Sequence, residues 1–246
     1  MYSRHIDFER ILNFRDLGGY RTEDGRAVAW RRLFRSGELH VMTESDIIKL
    51  REEIKLSTVI DLRTSGTIEL FGIGPIDEVG AKYYNFPISI VIDSDNDEEK
   101  QFSNSGEVYL YRVKNKGYSK RIIRALEIIA EPENHPLVFH CNAGKDRSGI
   151  LAAILLEVLG VADEDVIKDY ALTALAIDEF DNRWLNDPRI AETIKSIPMF
   201  QRVVSPESME FFLSGLKKEY GSVRGYLQAQ GAKVELFDQL EQALLV

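Results

Sequence analysis

Residues 136–160, PLVFHCNAGKDRSGILAAILLEVLG, restrict what this chain can fold into more than any other stretch. An apolar run ends at His140, a polar loop follows, and Ser148 and Gly149 open a second apolar run. The first run is short and bounded, as a buried strand is. The second is too short to span a bilayer and carries Glu157, so it reads as a helix buried in protein. A buried strand feeding a buried helix predicts an α/β fold with ligands beyond the strand's carboxyl end.

Other segments extend this pattern. STVIDLR (57–63) predicts a second buried strand ending in charges, and KYYNFPI (82–88) a third. Thr43 with Asp46 three positions on predicts a capped helix reaching about Glu53. Residues 107–130 read as helix broken at Gly117. A long helix is expected from Asp163 as N-cap, with Ile167, Tyr170, Ala171, Ala174 and Ile177 on its apolar face. Ser205-Pro206 opens another, with Met209, Phe212, Leu213, Leu216 and Tyr220 as its buried stripe. The expected architecture is one α/β domain over 1–246. Its central, mostly parallel sheet is flanked by helices, and 163–246 supplies extra helices. The polar, acidic stretch 93–105 is expected to be a mobile loop.

Composition narrows the function. The chain has 246 residues, 44% hydrophobic and 29% charged, which fits a soluble globular protein. Its net charge of -9 argues against general nucleic-acid binding, so any phosphate ligand must be drawn by local charge. Cys141 is the one cysteine, which rules out a disulfide within the chain or a zinc site made of several cysteines and suits a reducing compartment. MYSRHIDFER lacks the apolar core of a signal peptide, and no segment reads as an integral membrane span. The expected location is cytoplasmic, or outside the cell by a route without a cleavable signal.

The loop itself carries chemistry. Backbone N–H groups of Asn142, Ala143 and Gly144 can converge on one anion, helped by the positive end of the following helix. That field favours the Cys141 thiolate. Arg147, six positions after the cysteine, offers a planar fork for two phosphate oxygens. Gly144 permits a tight backbone turn. These parts suit phosphate-ester hydrolysis: Cys141 attacks phosphorus, Arg147 and the amides hold the developing charge, and Ser148 assists the sulfur as it leaves. Lys145 is expected to add positive charge at the pocket mouth, the plain alternative being an exposed lysine. His140, adjacent to Cys141 in an extended segment, points to the opposite face. It either bonds the loop backbone or sits satisfied in the core. A Walker A loop does not fit, because Phe139 and Asp146 occupy two of its required positions.

HCNAGKDRSG resembles the His-Cys-x5-Arg-Ser/Thr signature of the cysteine-dependent protein tyrosine phosphatase superfamily. With NFRDLGGY, RLFRSGEL and VIDLR, it is similar to the bacterial atypical tyrosine/lipid phosphatases, over most of the chain. The resemblance implies a metal-free enzyme with a protein tyrosine phosphatase-like fold, Cys141 as nucleophile and Arg147 as clamp. It implies phosphotyrosine, sometimes phosphoserine/threonine and often phosphoinositides as substrates. The competing reading is a phosphate-binding or scaffolding module that has lost catalysis; a rhodanese-type sulfur transferase conflicts with the DLGG motif.

The general acid is the open assignment. Asp146 lies in the loop, where a bound phosphate dianion would favour its protonated form; the alternative is a structural carboxylate. Asp61, at the end of a predicted strand, is the rival, with Arg63 two positions on either binding phosphate or orienting it. Asp93, Asp95 and Asp97 are weaker candidates. Arg15 and Asp16 are expected to buttress the loop, and Gly18-Gly19 to form a tight turn.

Overall fold

The computed structural model describes residues 3–90 and 96–246. Its five strands are β1 (Arg15–Asp16), β2 (Leu33–Ser36), β3 (Thr58–Asp61), β4 (Lys82–Asn85) and β5 (Leu137–His140). In space their order is β1-β2-β5-β3-β4; only the β1–β2 pairing is antiparallel. The helices of the first half are α1 (Glu44–Ile48), which continues as a π-helical turn over Lys49–Ile54, then α2 (Ser65–Phe71), α3 (Ile76–Val79), α4 (Ser105–Val113) and α5 (Lys116–Ala130). After β5 come α6 (Asp146–Val158), α7 (Asp163–Ala171), α8 (Ala174–Leu185), α9 (Ala191–Ser196), α10 (Met199–Arg202), α11 (Pro206–Tyr220), α12 (Val223–Ala229) and α13 (Glu235–Leu244). The α/β architecture with added C-terminal helices is the one expected.

Side-chain alternation along the strands divides the core in two. Leu33, Ile60, Leu137 and Phe139 face a large layer containing α4–α7 and α11–α13. Phe34, Val59 and Val138 face a smaller layer with α1, its π-helical extension and α3. Every residue of β5 is fully buried, as a central parallel strand covered on both faces must be. The C-terminal helices share the large core, since Met209, Phe212 and Leu240 join Ile150 and Leu155 in one cluster. Val246 closes the chain by exchanging two 2.9 Å backbone bonds with Ala27. Among the described residues no helix is long and apolar enough to cross a membrane.

Several local expectations need correction. Thr43 caps α1 through a capping box with Asp46, as expected. The break in 107–130 falls before Gly117, at Asn115, whose side chain caps α5 by accepting from Gly117 and Tyr118 amides. The helix after Asp163 is two helices: Ala162 holds the N-cap position and the chain turns at Leu172-Thr173. Of its expected apolar face Tyr170 is buried, while Ala174 is exposed. The 93–105 stretch includes a short 3₁₀ turn, Glu99–Gln101, with Glu99 buried and paired with Arg112. Asp93 and Asp95 lie outside the described residues.

α6 carries one buried acid away from the loop. Glu157 is 8% exposed, with Lys217 Nζ 2.9 Å from its carboxylate, and Lys217 also pairs with Asp163. Burial, and then Asp163 nearby, push Glu157 up from 4.5 to about 8. Folding therefore takes up a proton between those values. The stabilisation is complete below the unfolded value and is lost as pH rises through the folded one. The Glu157 contribution to stability should fall between about pH 5 and 8, by up to about 1.4 kcal/mol per pH unit. Glu157→Gln should flatten that slope, so that the variant gains on wild type at high pH but not at low pH. Urea unfolding across the range checks this; parallel wild-type and variant curves would count against it.

Candidate active site

β5 delivers Cys141 to the carboxyl edge of the sheet, and α6 starts at Asp146, two positions before Ser148, leaving 141–145 as the loop between them. The loop is shaped from outside. Ala143 O accepts from Asn13 Nδ2 (2.8 Å), Gly144 O from Arg35 Nη2 (2.6 Å) and Asn142 O from the Glu38 amide (2.7 Å). Lys145 O takes a further bond from Arg35 Nη2 (3.3 Å), and Cys141 O lies 3.2 Å from His140 Nδ1. Each loop carbonyl is thus held by the scaffold. None of the Asn142–Lys145 amides donates to another group among the described residues. Gly144 adopts φ +69°, and a Cβ there would stand 2.5 Å from Ser36 O, so both conformation and space demand glycine.

Cys141 is a free, buried thiol, and Arg147 is 9% exposed in the first turn of α6. Arg147 Nε and Ser148 Oγ have no partner among the described residues. Cys141, Arg147, Ser148 and the Asn142–Gly144 backbone therefore sit together at one helix start. His140 is fully buried and points away, with Nε2 3.6 Å from Asp61. Burial brings it down to about 4, so it is neutral near pH 7.

The structure places Asp61 and Arg63 in a buried ion pair with each other. Arg63 grips Asp61 through Nε and Nη2 at 2.7–3.0 Å, and Tyr83 adds a hydroxyl at 2.9 Å; both partners of the ion pair are fully buried. Burial alone would raise the Asp61 carboxyl, but His140 and the Arg63 fork hold it below the ordinary carboxylate range. The rest of Arg63 goes to Gly72 O and His40. Asp61 is thus held in a buried ion pair, and four of the five Arg63 N–H donors are taken by Asp61, Gly72 and His40. The register explains this: Asp61 pairs across from His140, on the face opposite Cys141.

Lys145 also departs from expectation. It is 2% exposed, and its ammonium reaches Gln201 O, Val203 O (3.1 Å) and Asp146 Oδ1 (3.3 Å). Three donors meet three acceptors, so it fastens the segment around α10 onto the loop instead of lining a mouth. Asp146 keeps 15% side-chain exposure and accepts a hydrogen bond from Tyr109 Oη. Asp97 is 93% exposed and pairs with Lys100.

Arg15 and Asp16 part ways. Asp16 accepts from the Gly18 and Arg31 amides, both at 2.8 Å, and so shapes the glycine turn instead of the loop. Gly19 there adopts φ +81°, as a tight turn requires. Arg15 reaches the loop indirectly, through Asn13 and through Asp169, with which it pairs at 3.1 Å. Arg35, missed in the sequence, is the direct buttress, and it pairs with Asp169 at 2.6 Å. Burial would raise Asp169, but Arg15 and Arg35 hold it at about 2; burial, then Arg35, brings Arg15 down to about 10. Asn13, Arg35 and Glu38 stand within or beside the NFRDLGGY and RLFRSGEL motifs, which was their available signal. Asp169, Tyr109 and Tyr170 carry none. α8 closes over this side: Phe180 joins Ala143 in a small cluster, and Arg183 and Trp184 bond Glu38 at 3.0 and 3.2 Å. Among the described residues no three His, Cys, Asp or Glu side chains gather to hold a metal.

Comparison with known proteins adds a family to this geometry. The model of the tyrosine phosphatase family matches residues 6–246. The triple specificity protein phosphatase PtpB of Mycobacterium tuberculosis is 24% identical over 281 residues, covering 95% of this chain and 96% of its own length. A relative from Cupriavidus necator is 28% identical over 184 residues; the match covers 68% of this chain and 62% of the relative. Inositol diphosphatase DSP3 of Arabidopsis thaliana is 32% identical over 53 residues, 22% of this chain and 26% of its own length. Among solved structures, the core catalytic domain of the PP-IP phosphatase SIW14 from S. cerevisiae aligns at 18% identity with a TM-score of 0.39, covering 74% of this chain and 95% of that one.

Proposed function

The chain belongs to the tyrosine phosphatase family, and from that premise we propose that it hydrolyses phosphomonoesters through a phosphocysteine on Cys141. One observation carries this reading: each carbonyl of the Cys141–Lys145 loop is engaged by the scaffold, while the Asn142–Lys145 amides donate to nothing among the described residues. Such a loop, at a helix start with Arg147, binds an anion directly above the thiol.

In this mechanism Cys141 Sγ attacks phosphorus as the ester P–O bond breaks. Arg147 and the loop amides hold the equatorial oxygens. Asp146 protonates the leaving oxygen, then takes a proton from the water that cleaves the phosphocysteine. Ser148 Oγ, buried and without a partner among the described residues, donates to the departing sulfur. Substrates are phosphotyrosine, with phosphoserine/threonine and phosphoinositides within range; relatives named triple specificity phosphatase and inositol diphosphatase support that breadth.

The test is a panel of phosphotyrosine peptide, phosphoserine peptide, phosphoinositides and an activated aryl phosphate, run on wild type, Asp146→Asn and Asp61→Asn. Asp146→Asn should lose about 10²–10³-fold on the peptides and lipids and little on the activated ester, whose leaving group needs no proton. Asp61→Asn should lower stability without changing the dependence on leaving group. Equal losses across the panel for Asp146→Asn would remove it as the acid, and a wild type that binds phosphate without turnover would make this a recognition module.

A further inference from the structure

Two buried phenols next to the loop have no part in that mechanism. Tyr109 on α4 is 0% exposed and Tyr170 on α7 is 1% exposed, and their hydroxyl oxygens lie 2.9 Å apart. The Tyr109 hydroxyl donates to Asp146 Oδ1. A phenol has one proton to donate. With that of Tyr109 given to Asp146, Tyr170 must donate to Tyr109, so the chain runs Tyr170 to Tyr109 to Asp146. Lys145 Nζ lies 3.3 Å from the same Oδ1. A phenol and an ammonium thus converge on one carboxylate oxygen, leaving Oδ2 to carry a transferable proton.

Both rings are firmly seated. Tyr109 meets Phe212 edge-on at 6.0 Å and Tyr170 at 6.4 Å. Tyr170 lies against Gly149 at the start of α6, where a Cβ would stand 3.0 Å from its ring. The titratable and charged groups facing Asp146 are Lys145, Tyr109 and Tyr170, with Arg147 beside it in the chain and Tyr118 of α5 farther off. Burial, then Asp146, raises Tyr109 well above the ordinary phenol range, which keeps its proton in place as a donor.

We propose that Tyr109, backed by Tyr170, is a positioning residue that occupies Asp146 Oδ1 so that Oδ2 delivers the proton to the leaving oxygen. The inference rests on Asp146 being the acid. In the step it serves, the Oδ2–H bond breaks and an O–H bond forms on the leaving alcohol. Meanwhile the ester P–O bond breaks and S–P forms. Asp146 ends as a carboxylate, and the phenolic protons stay on their own oxygens.

Tyr109→Phe and Tyr170→Phe keep both rings and remove one hydroxyl each. The measurement is kcat against pH for aryl phosphates of graded leaving-group pKa, with Asp146→Asn alongside. Tyr109→Phe should lose about tenfold on the poorest leaving groups and little on the best. Its alkaline limb should move to higher pH, because a hydrogen bond donated to the carboxylate is gone. Tyr170→Phe, one bond farther away, should show the same pattern at smaller size. An equal loss on all esters with an unmoved limb, while Asp146→Asn keeps its leaving-group dependence, would overturn the proposal and leave the acid assignment standing. If Asp146→Asn itself lacks that dependence, the acid assignment fails and the positioning role fails with it.

Discussion

Cys141→Ser should lose about 10⁴-fold or more in kcat on an aryl phosphate while keeping the wild-type fold. The size follows from what surrounds the thiol. A loop whose amides donate to nothing among the described residues, the α6 start and Arg147 surround the sulfur, and a cysteine thiolate is a nucleophile without help. A serine hydroxyl needs a base to remove its proton. The nearest imidazole, His140, is neutral but faces Asp61, and its Nδ1 is spent on the Cys141 carbonyl. Cys141 is 2% exposed beside the large core, where serine fits without strain. Steady-state kinetics with phosphate or vanadate binding as a control would read the result: binding retained and turnover gone. Substantial remaining turnover would show that sulfur is not the attacking atom.

Asp169→Ala should cost about 3–5 kcal/mol of stability, the loss typical when one partner of a buried charge cluster is removed. Asp169 is 1% exposed and accepts from Arg15, Arg35 and the Tyr20 hydroxyl. Without it two buried guanidiniums face each other with no anion between them. For a domain stable by roughly 5–15 kcal/mol, that is a large share. Activity should fall as well, since Arg35 holds the Gly144 and Lys145 carbonyls in place. Urea unfolding with an unchanged m-value would measure the loss. A change below about 1 kcal/mol would mean that solvent reaches the arginines and that the cluster is not what fixes the loop.

What could be read from the sequence was local. Cys141, Gly144, Arg147 and Ser148 announce their arrangement because loop and helix are continuous in the chain. The capping box at Thr43 is equally local. The surroundings of Asp61 were not legible because a strand's end can be predicted without its register, and the register sets which face a side chain takes. Once Asp61 lies across from His140, it is turned toward Arg63 and Tyr83. Lys145 was misjudged because its acceptors, the carbonyls of Gln201 and Val203, lie more than fifty residues on. The break between α7 and α8 has no glycine or proline to mark it. Thr173 is buried there and accepts from Asn13 and Arg15, a tertiary contact that helical periodicity does not contain. Tyr170 is expected from the sequence only as part of an apolar face, and nothing singles out Tyr109, because only their hydroxyls distinguish them from other core aromatics.

The engaged carbonyls have a consequence for how this site comes into being. A loop that folds on its own bonds is autonomous, and a short peptide can hold it. Here Ala143 is held by a residue 130 positions away and Gly144 by one 109 positions away. Closing such separations costs entropy before any contact repays it. An excised 136–160 fragment is therefore a poor anion receptor despite containing every reacting group. Phosphate affinity in this protein should appear late in refolding, after β2 has paired with β5, so the gain of ligand binding is a reporter of completed topology.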